Sequence, residues 1–150
     1  MRLPWISAAL AAAGLAVAWI PGGAGALQYE RARVAAGAVW LLLTSQLAHW
    51  TLRMALLDLG MLAVLGAWLE ARGERRELVV ALLLGAAGTA VAVHALSPDL
   101  LLYRGSSGLA SALFVLVALR LARTSGGAAR VLALLALALF LLKAVWESVT

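Results

Sequence analysis

Apolar residues fill long blocks along this chain, separated by short polar breaks. The blocks run Leu3 to Ile20, Leu52 to Leu69, Leu78 to Leu96, about Ser106 to Leu121, and about Val131 to Val145. Each approaches the roughly 20 apolar residues that one bilayer crossing needs. The breaks are Pro21-Gly22-Gly23, the charged run Glu70 to Glu77, the turn Ser97-Pro98-Asp99, and Thr124 to Gly127. Pro98 cannot continue a helix, so the third block ends there. The stretch Leu27 to Trp50 fits neither pattern. It mixes Glu30, Arg31, Arg33, Gln46 and His49 with apolar residues. It is too polar for an ordinary span and too apolar for a solvated loop, so it predicts an interfacial or re-entrant segment. The pattern as a whole predicts an all-α, polytopic membrane bundle with about five spanning helices.

Composition agrees with the pattern. Of 150 residues, 65% are hydrophobic and 13% are charged, and mean hydropathy is +1.00. A soluble domain is nearer half apolar and a quarter charged, which excludes a disordered chain and argues against a water-soluble one. There is no internal repeat and no linker, so residues 1–150 read as a single domain. The first block has two readings. Arg2, the apolar run and Ala24-Gly25-Ala26 resemble a signal peptide with its cleavage site. The same residues serve equally as a first spanning helix, the favoured reading beside so much other membrane sequence. With no cysteine in the chain, disulfides, Cys-ligated zinc and a thiol nucleophile are excluded. No metal or organic cofactor is implied.

The net charge of +5 changes the picture only by orienting it. The basic residues are scattered between apolar runs and form no stripe, so nucleic acid is not the expected partner. Alternating spans place Arg2, Arg72, Arg75, Arg76, Arg120, Arg123 and Arg130 on one side. Arg31, Arg33, Arg104 and Lys143 fall on the other side or at its rim. The larger group predicts the cytoplasmic face, with the N-terminus cytoplasmic in a cell (inner) membrane. Leu27 to Trp50 and the turn before Ser106 then face outward. Trp5, Trp19, Trp68 and Trp146 sit near predicted helix ends, where interfacial anchors belong.

Polar groups inside a bilayer are costly, and each asks for a reason. Tyr103-Arg104-Gly105-Ser106-Ser107-Gly108 opens the fourth span. Gly105 allows a tight turn, and Gly108 allows close approach of a neighbouring helix. A serine here sits among unpaired N–H groups at the positive end of a helix dipole, donors able to stabilise an oxyanion. The block alone also reads as a helix cap with small-residue packing. Asp58 lies well inside the second span and is either paired, with Arg53 for instance, or lines a polar cavity. To donate to an oxyanion it must be protonated. His49 and Asp58 would face opposite ways on one continuous helix, so His49 belongs to the segment before the span. His49 otherwise reads as a loop histidine holding carbonyls. His94, in the last turn of the third span, reads as a C-terminal cap. Neither histidine can be placed beside Ser107 from spacing. Glu74-Arg75-Arg76-Glu77 reads as part of a solvated loop.

These residues, in this order, resemble the rhomboid-type intramembrane serine proteases, within them the bacterial rhombosortase branch. The resemblance runs through Gln28-Tyr-Glu-Arg31, Trp40-Leu-Leu-Leu-Thr44, His49-Trp50, Asp58, Leu65-Gly66, Glu70, Pro98 and Tyr103 to Leu109. Ser111 to Phe114 and the Lys143–Glu147 pair also fit. It implies a helical bundle with a water-filled cavity open to the outer side. The nucleophile would be Ser107, not Ser106, with Asp58, Gly105, Ser106, Gly108 and His49 forming the oxyanion site and cavity. Asp58 would stand where many rhomboids have asparagine, and Met54 where many have a histidine. His49 would match a histidine that supports the loop and cavity. The expected activity is endopeptidase cleavage of transmembrane protein substrates near the outer interface. Anchors of a C-terminal Gly-Gly type are the implied targets.

The resemblance departs at the end. The general base of rhomboids is a histidine on a sixth helix, and no residue here matches it. A serine without a base is a poor nucleophile. The chain is expected to be a truncated form; a non-catalytic relative that binds client transmembrane helices, or substitution by His49 or His94, are the alternatives. A small carrier using Asp58 as an ion site is a third class.

Overall fold

The computed structural model describes residues 3–149. Arg2 and Thr150 lie outside the described residues. Helix dominates at 78%, with almost no sheet. The elements are α1 (Trp5–Trp19), α2 (Gly23–Leu27), β1 (Tyr29–Glu30), α3 (Arg31–Ala35), α4 (Leu41–Thr44), α5 (Leu52–Ala71), α6 (Arg75–Val91), β2 (Leu102–Tyr103), α7 (Ser107–Thr124) and α8 (Gly127–Val149). A 3₁₀ turn, Ser45–Leu47, follows α4, and a π-helical turn, Ala92–Leu96, prolongs α6. Four helices are long and apolar enough to cross a membrane: Leu52–Ala71, Arg75–Leu96, Ser107–Thr124 and Gly127–Glu147. They mark the chain as a membrane protein. The first apolar block differs from expectation. Its helix has 15 residues, shorter than a full crossing, because Pro4 and Pro21-Gly22 bound it closely.

The chain divides into two compact units, Met1–Leu113 and Phe114–Thr150. In the first, α1 packs against α5 through small residues. A methyl group on Gly14 would meet the Leu59 side chain at 2.7 Å, and one on Gly66 would meet Ser7 Cβ at 2.7 Å. Without a hydrophobic drive between helices in lipid, such close approach supplies the packing. Gly85 of α6 meets Gly108, Leu109 and Ala112 of α7 in the same way. In the second unit, Phe114 and Phe140 rings lie 5.2 Å apart, and Lys143 Nζ pairs with Glu147 Oε1 at 2.6 Å, one turn on.

The predicted charged loop is shorter than expected. Gly73 takes φ 81°, and its N–H donates to Glu70 O while Glu74 N–H donates to Leu69 O. This left-handed cap closes α5 after Ala71, and α6 resumes at Arg75. Glu70 is therefore not a loop residue: it is fully buried. Its Oε2 accepts from Ser7 N–H at 3.0 Å and Ser7 Oγ at 2.7 Å, and its Oε1 accepts from Ile6 N–H at 3.2 Å. Arg75 Nε lies 3.5 Å from Oε1. One carboxylate thus serves the free donors at the start of α1.

Residues 27–50 form the irregular segment that the sequence suggests. Tyr29, Val34, Leu41 and Val93 make its small core, with Leu100 and Tyr103 packed alongside. β1 and β2 pair antiparallel, Tyr29 opposite Tyr103 and Glu30 opposite Leu102. Arg31 holds the end of the third span, a role the sequence reading gave to His94. Its Nη2 donates to the carbonyls of Val93, His94 and Ser97 at 3.1, 3.1 and 2.8 Å, and its Nε to Leu100 O at 3.2 Å. A fixed fork of donors suits the carbonyls freed by the π turn. His94 Nδ1 instead meets Tyr29 OH at 3.1 Å.

Candidate active site

The short β1–β2 ladder and the hydrogen bond from Gly105 N–H to Ser45 O, 3.2 Å, tie the start of α7 to the irregular segment. Gly105 takes φ 146°, a conformation that side-chain-bearing residues rarely adopt. The chain turns there and enters α7, whose first bond runs from Ala110 N–H to Ser106 O. Consecutive serines then part company. Ser106 is fully buried, while Ser107 is exposed.

Ser106 Oγ lies 3.1 Å from His49 Nε2, a contact joining positions 57 apart in the chain. The same nitrogen is 3.6 Å from Asp58 Oδ2. His49 precedes Thr51, whose Oγ1 accepts from Met54 N–H at 3.2 Å and caps α5. His49 thus sits outside the span, as the spacing argument required, and Asp58 reaches back to it. Asp58 makes this contact with His49 and none with Arg53 among the described residues. Its side chain keeps 25% exposure.

Ser107 faces the other way round the turn. A methyl group on Gly105 would lie 3.8 Å from Asp58 Oδ2, 3.8 Å from Tyr103 OH and 3.9 Å from Ser107 Oγ. Three oxygens therefore surround the α-carbon of the buried Gly105. Tyr103 OH donates to Gly105 O at 3.1 Å, with the Ser107 hydroxyl on the same side of the turn. Burial raises the Tyr103 pKa above 10.0; the Ser107 hydrogen bond opposes this, and the Asp58 charge adds to it. The phenol stays neutral, so it is a poor base for the Ser107 hydroxyl beside it.

His49 is 3% exposed. Burial lowers its pKa from 6.5, against the pull of the Asp58 carboxylate and then of the Leu47 carbonyl. The imidazole is held toward its neutral form. Its Nδ1 is buried without a hydrogen-bond partner among the described residues, so the Leu47 carbonyl acts short of an aligned bond.

Every residue singled out beforehand for this site is gathered around one turn: His49, Asp58, Gly105, Ser106, Ser107 and Gly108. Gly108 is the contact glycine, with Thr89 Oγ1 in the space where its Cβ would stand. His94 is not part of the group; it belongs with Tyr29. Two participants were missed. Tyr103 was visible only as part of the serine block, and its place two residues before Gly105 was the available signal. Ser45 contributes through its carbonyl, which no sequence signal marks. The start of α7 offers unpaired N–H groups beside Ser107. No group of three or more His, Asp and Glu that could hold a metal occurs among the described residues.

Compared with protein-family models, with curated proteins and with solved structures, the chain matches none.

Proposed function

We propose that this chain is a rhomboid-like intramembrane serine endopeptidase of the rhombosortase branch, with Ser107 as nucleophile. One observation carries the reading: an exposed serine hydroxyl opens α7 inside a ring of polar groups contributed by β2, α5 and the Gly105 turn. Ser107 Oγ attacks a peptide carbonyl, and the carbonyl oxygen becomes an oxyanion beside the free N–H groups of α7. Collapse expels the amine, which leaves carrying the proton given up by the serine hydroxyl and relayed by water in the exposed site; a second water then hydrolyses the acyl-enzyme and returns a proton to Ser107. The buried Ser106 cannot reach a peptide, so it positions His49 and does not attack. The substrate is a membrane-anchored protein cut near the outer interface, with a C-terminal Gly-Gly-type anchor as the favoured class. Glycines unwind easily and expose carbonyls that a helix would shield. The membrane is a cell (inner) membrane with the N-terminus in the cytoplasm, following the bias of Arg72, Arg75 and Arg76.

A second reading has its own support. The imidazole of His49 is engaged by Ser106, and no hydrogen bond joins it to Ser107 among the described residues. A site without a base at its serine suits a protein that binds client transmembrane helices and does not cut them. Labelling with a fluorophosphonate separates the two. Proteolysis predicts a covalent adduct that Ser107→Ala abolishes and Ser106→Ala retains. An adduct on Ser106, or client association that survives Ser107→Ala with no adduct in the parent, overturns it.

A further inference from the structure

A cavity of about 390 Å³ opens between the end of α1 and the start of α5. Its wall includes Trp19, Ile20, His49, Thr51, Leu52 and Arg104. This volume lies in the range that houses small organic ligands and exceeds what a bare inorganic ion needs. The cavity shares only His49 with the serine site, and its argument does not rest on proteolysis.

The two sides of the cavity carry opposite polarity. On one side stands Arg104. Its Nε donates to Gln28 Oε1 at 2.8 Å, and its guanidinium lies 4.3 Å from the Trp50 ring centroid. Those contacts hold the plane of the group without neutralising it. No carboxylate pairs with Arg104 among the described residues. Nη2 lies against Gly25 of α2, which also lines the cavity. Thr51 and Leu52 bring the positive end of a 20-residue helix to the same side. His49 adds a buried ring nitrogen, Nδ1, that makes no aligned hydrogen bond among the described residues, with the Leu47 carbonyl near it. On the other side α1 ends. Ile20 N–H turns back to Ala16 O, and Gly23 N–H takes Ile20 O. Among the described residues no backbone bond from outside the helix reaches the carbonyls of Ala18 and Trp19, and both residues line the cavity, so the negative end of α1 borders it.

An anion alone would meet that second side unfavourably, and a cation alone the first. A dipolar ligand satisfies both. Trp19 and Trp50 are 79% and 49% exposed, and indoles at helix ends sit at head-group depth. We infer that this cavity binds the phosphoethanolamine head group of a phospholipid, its phosphate on Arg104 and the α5 N-terminus, its ammonium on the α1 carbonyls. Arg104 supplies parallel N–H donors suited to phosphate oxygens. A primary ammonium can donate to carbonyls, which choline cannot, and glycerol carries no charge to match them.

The test uses the full chain in detergent, read by tryptophan fluorescence and by native mass spectrometry. Short-chain phosphatidylethanolamine, phosphatidylglycerol and phosphatidylcholine are titrated in turn, with glycerophosphoethanolamine and inorganic phosphate as competitors. The expected result is saturable ethanolamine-lipid binding, about tenfold tighter than either other lipid. Glycerophosphoethanolamine competes and inorganic phosphate does not. Arg104→Ala weakens binding about tenfold or more, and Arg33→Ala, a half-buried cation outside the cavity lining, leaves it unchanged. Equal affinity for the three lipids, preference for glycerol, competition by inorganic phosphate alone, or indifference to Arg104→Ala overturns the inference. Where Arg104→Ala fails to fold, the lipid ranking of the parent protein still decides.

Discussion

Two polar clusters lie within the first unit, and they are built on opposite principles. Around Glu70, a buried carboxylate accepts three hydrogen bonds from Ile6 and Ser7, and the Arg75 guanidinium stands 3.5 Å away as an ion pair without an aligned hydrogen bond from Nε. Both its oxygens are used, and the cluster joins the end of α5 to the start of α1. Around His49, the contacts stop short. Nε2 reaches Ser106 and Asp58, Nδ1 makes no aligned hydrogen bond among the described residues, Asp58 is partly exposed, and Ser107 is open. Buried polar networks stabilise when complete and cost free energy when incomplete. A complete one is therefore a structural joint. An incomplete one keeps hydrogen-bonding capacity for something else, and this asymmetry is what favours the His49 end as the working site.

The largest effect should come from breaking the complete cluster. Glu70→Ala strands the buried Ser7 hydroxyl and N–H and frees the start of α1. We expect a loss on the order of 3 kcal/mol, seen as a lowered thermal midpoint in detergent. Glu70→Gln keeps acceptor capacity and should lose less. A stability loss for Glu70→Ala no larger than that for His49→Ala would remove the contrast between the two ends.

Much of this arrangement could be read in the sequence, and the part that could not has a common cause. Long apolar runs mark spans because bilayer thickness sets their length, and the four long helices follow those runs within a few residues. The Gly105 to Gly108 block is local, so its turn and helix start were legible. Glu70 was misplaced because its partner Ser7 lies 63 positions away, and a run of three glutamates and three arginines looks like a solvated loop. The His49–Ser106 pair, 57 positions apart, was hidden for the same reason. The Arg31 fork was missed because a π turn leaves carbonyls free without any mark in composition. Pairings across tertiary distance are invisible to periodicity, whereas burial against lipid is not.

A second test separates packing from chemistry within the serine block. Gly108→Ala pushes a Cβ into the Thr89 hydroxyl and should cost about 2 kcal/mol by overpacking. Thr89→Ala in the same chain should recover most of that loss. Recovery assigns Gly108 to the α6–α7 contact; failure of the double variant to recover would return Gly108 to the site itself.

The His49 end also carries a sign that can be checked with pH. Burial lowers the folded pKa of His49 below 6.5, so below that pH the unfolded chain binds the proton more readily. The stabilisation is present above 6.5 and is lost as pH falls from there through the lowered folded value. The thermal midpoint should therefore decline on acidification from about pH 7 to about pH 5, and His49→Gln should flatten that decline. A midpoint that rises on acidification in the parent and not in the variant would mean the Asp58 charge outweighs burial.

The smallest stability effect belongs to the residue with the largest proposed role. Ser106→Ala removes a buried hydrogen bond to His49 and should cost about 1 kcal/mol. Ser107→Ala removes an exposed hydroxyl and should stay within about 0.5 kcal/mol of the parent. Melting curves of the two variants in one detergent make the comparison direct. If Ser107 destabilises as much as Ser106, its hydroxyl is a structural strut for Tyr103 and the open ring around Gly105 is a packing feature. If Ser107→Ala melts with the parent while losing the covalent adduct, the site is shown to depend on a group the fold does not need.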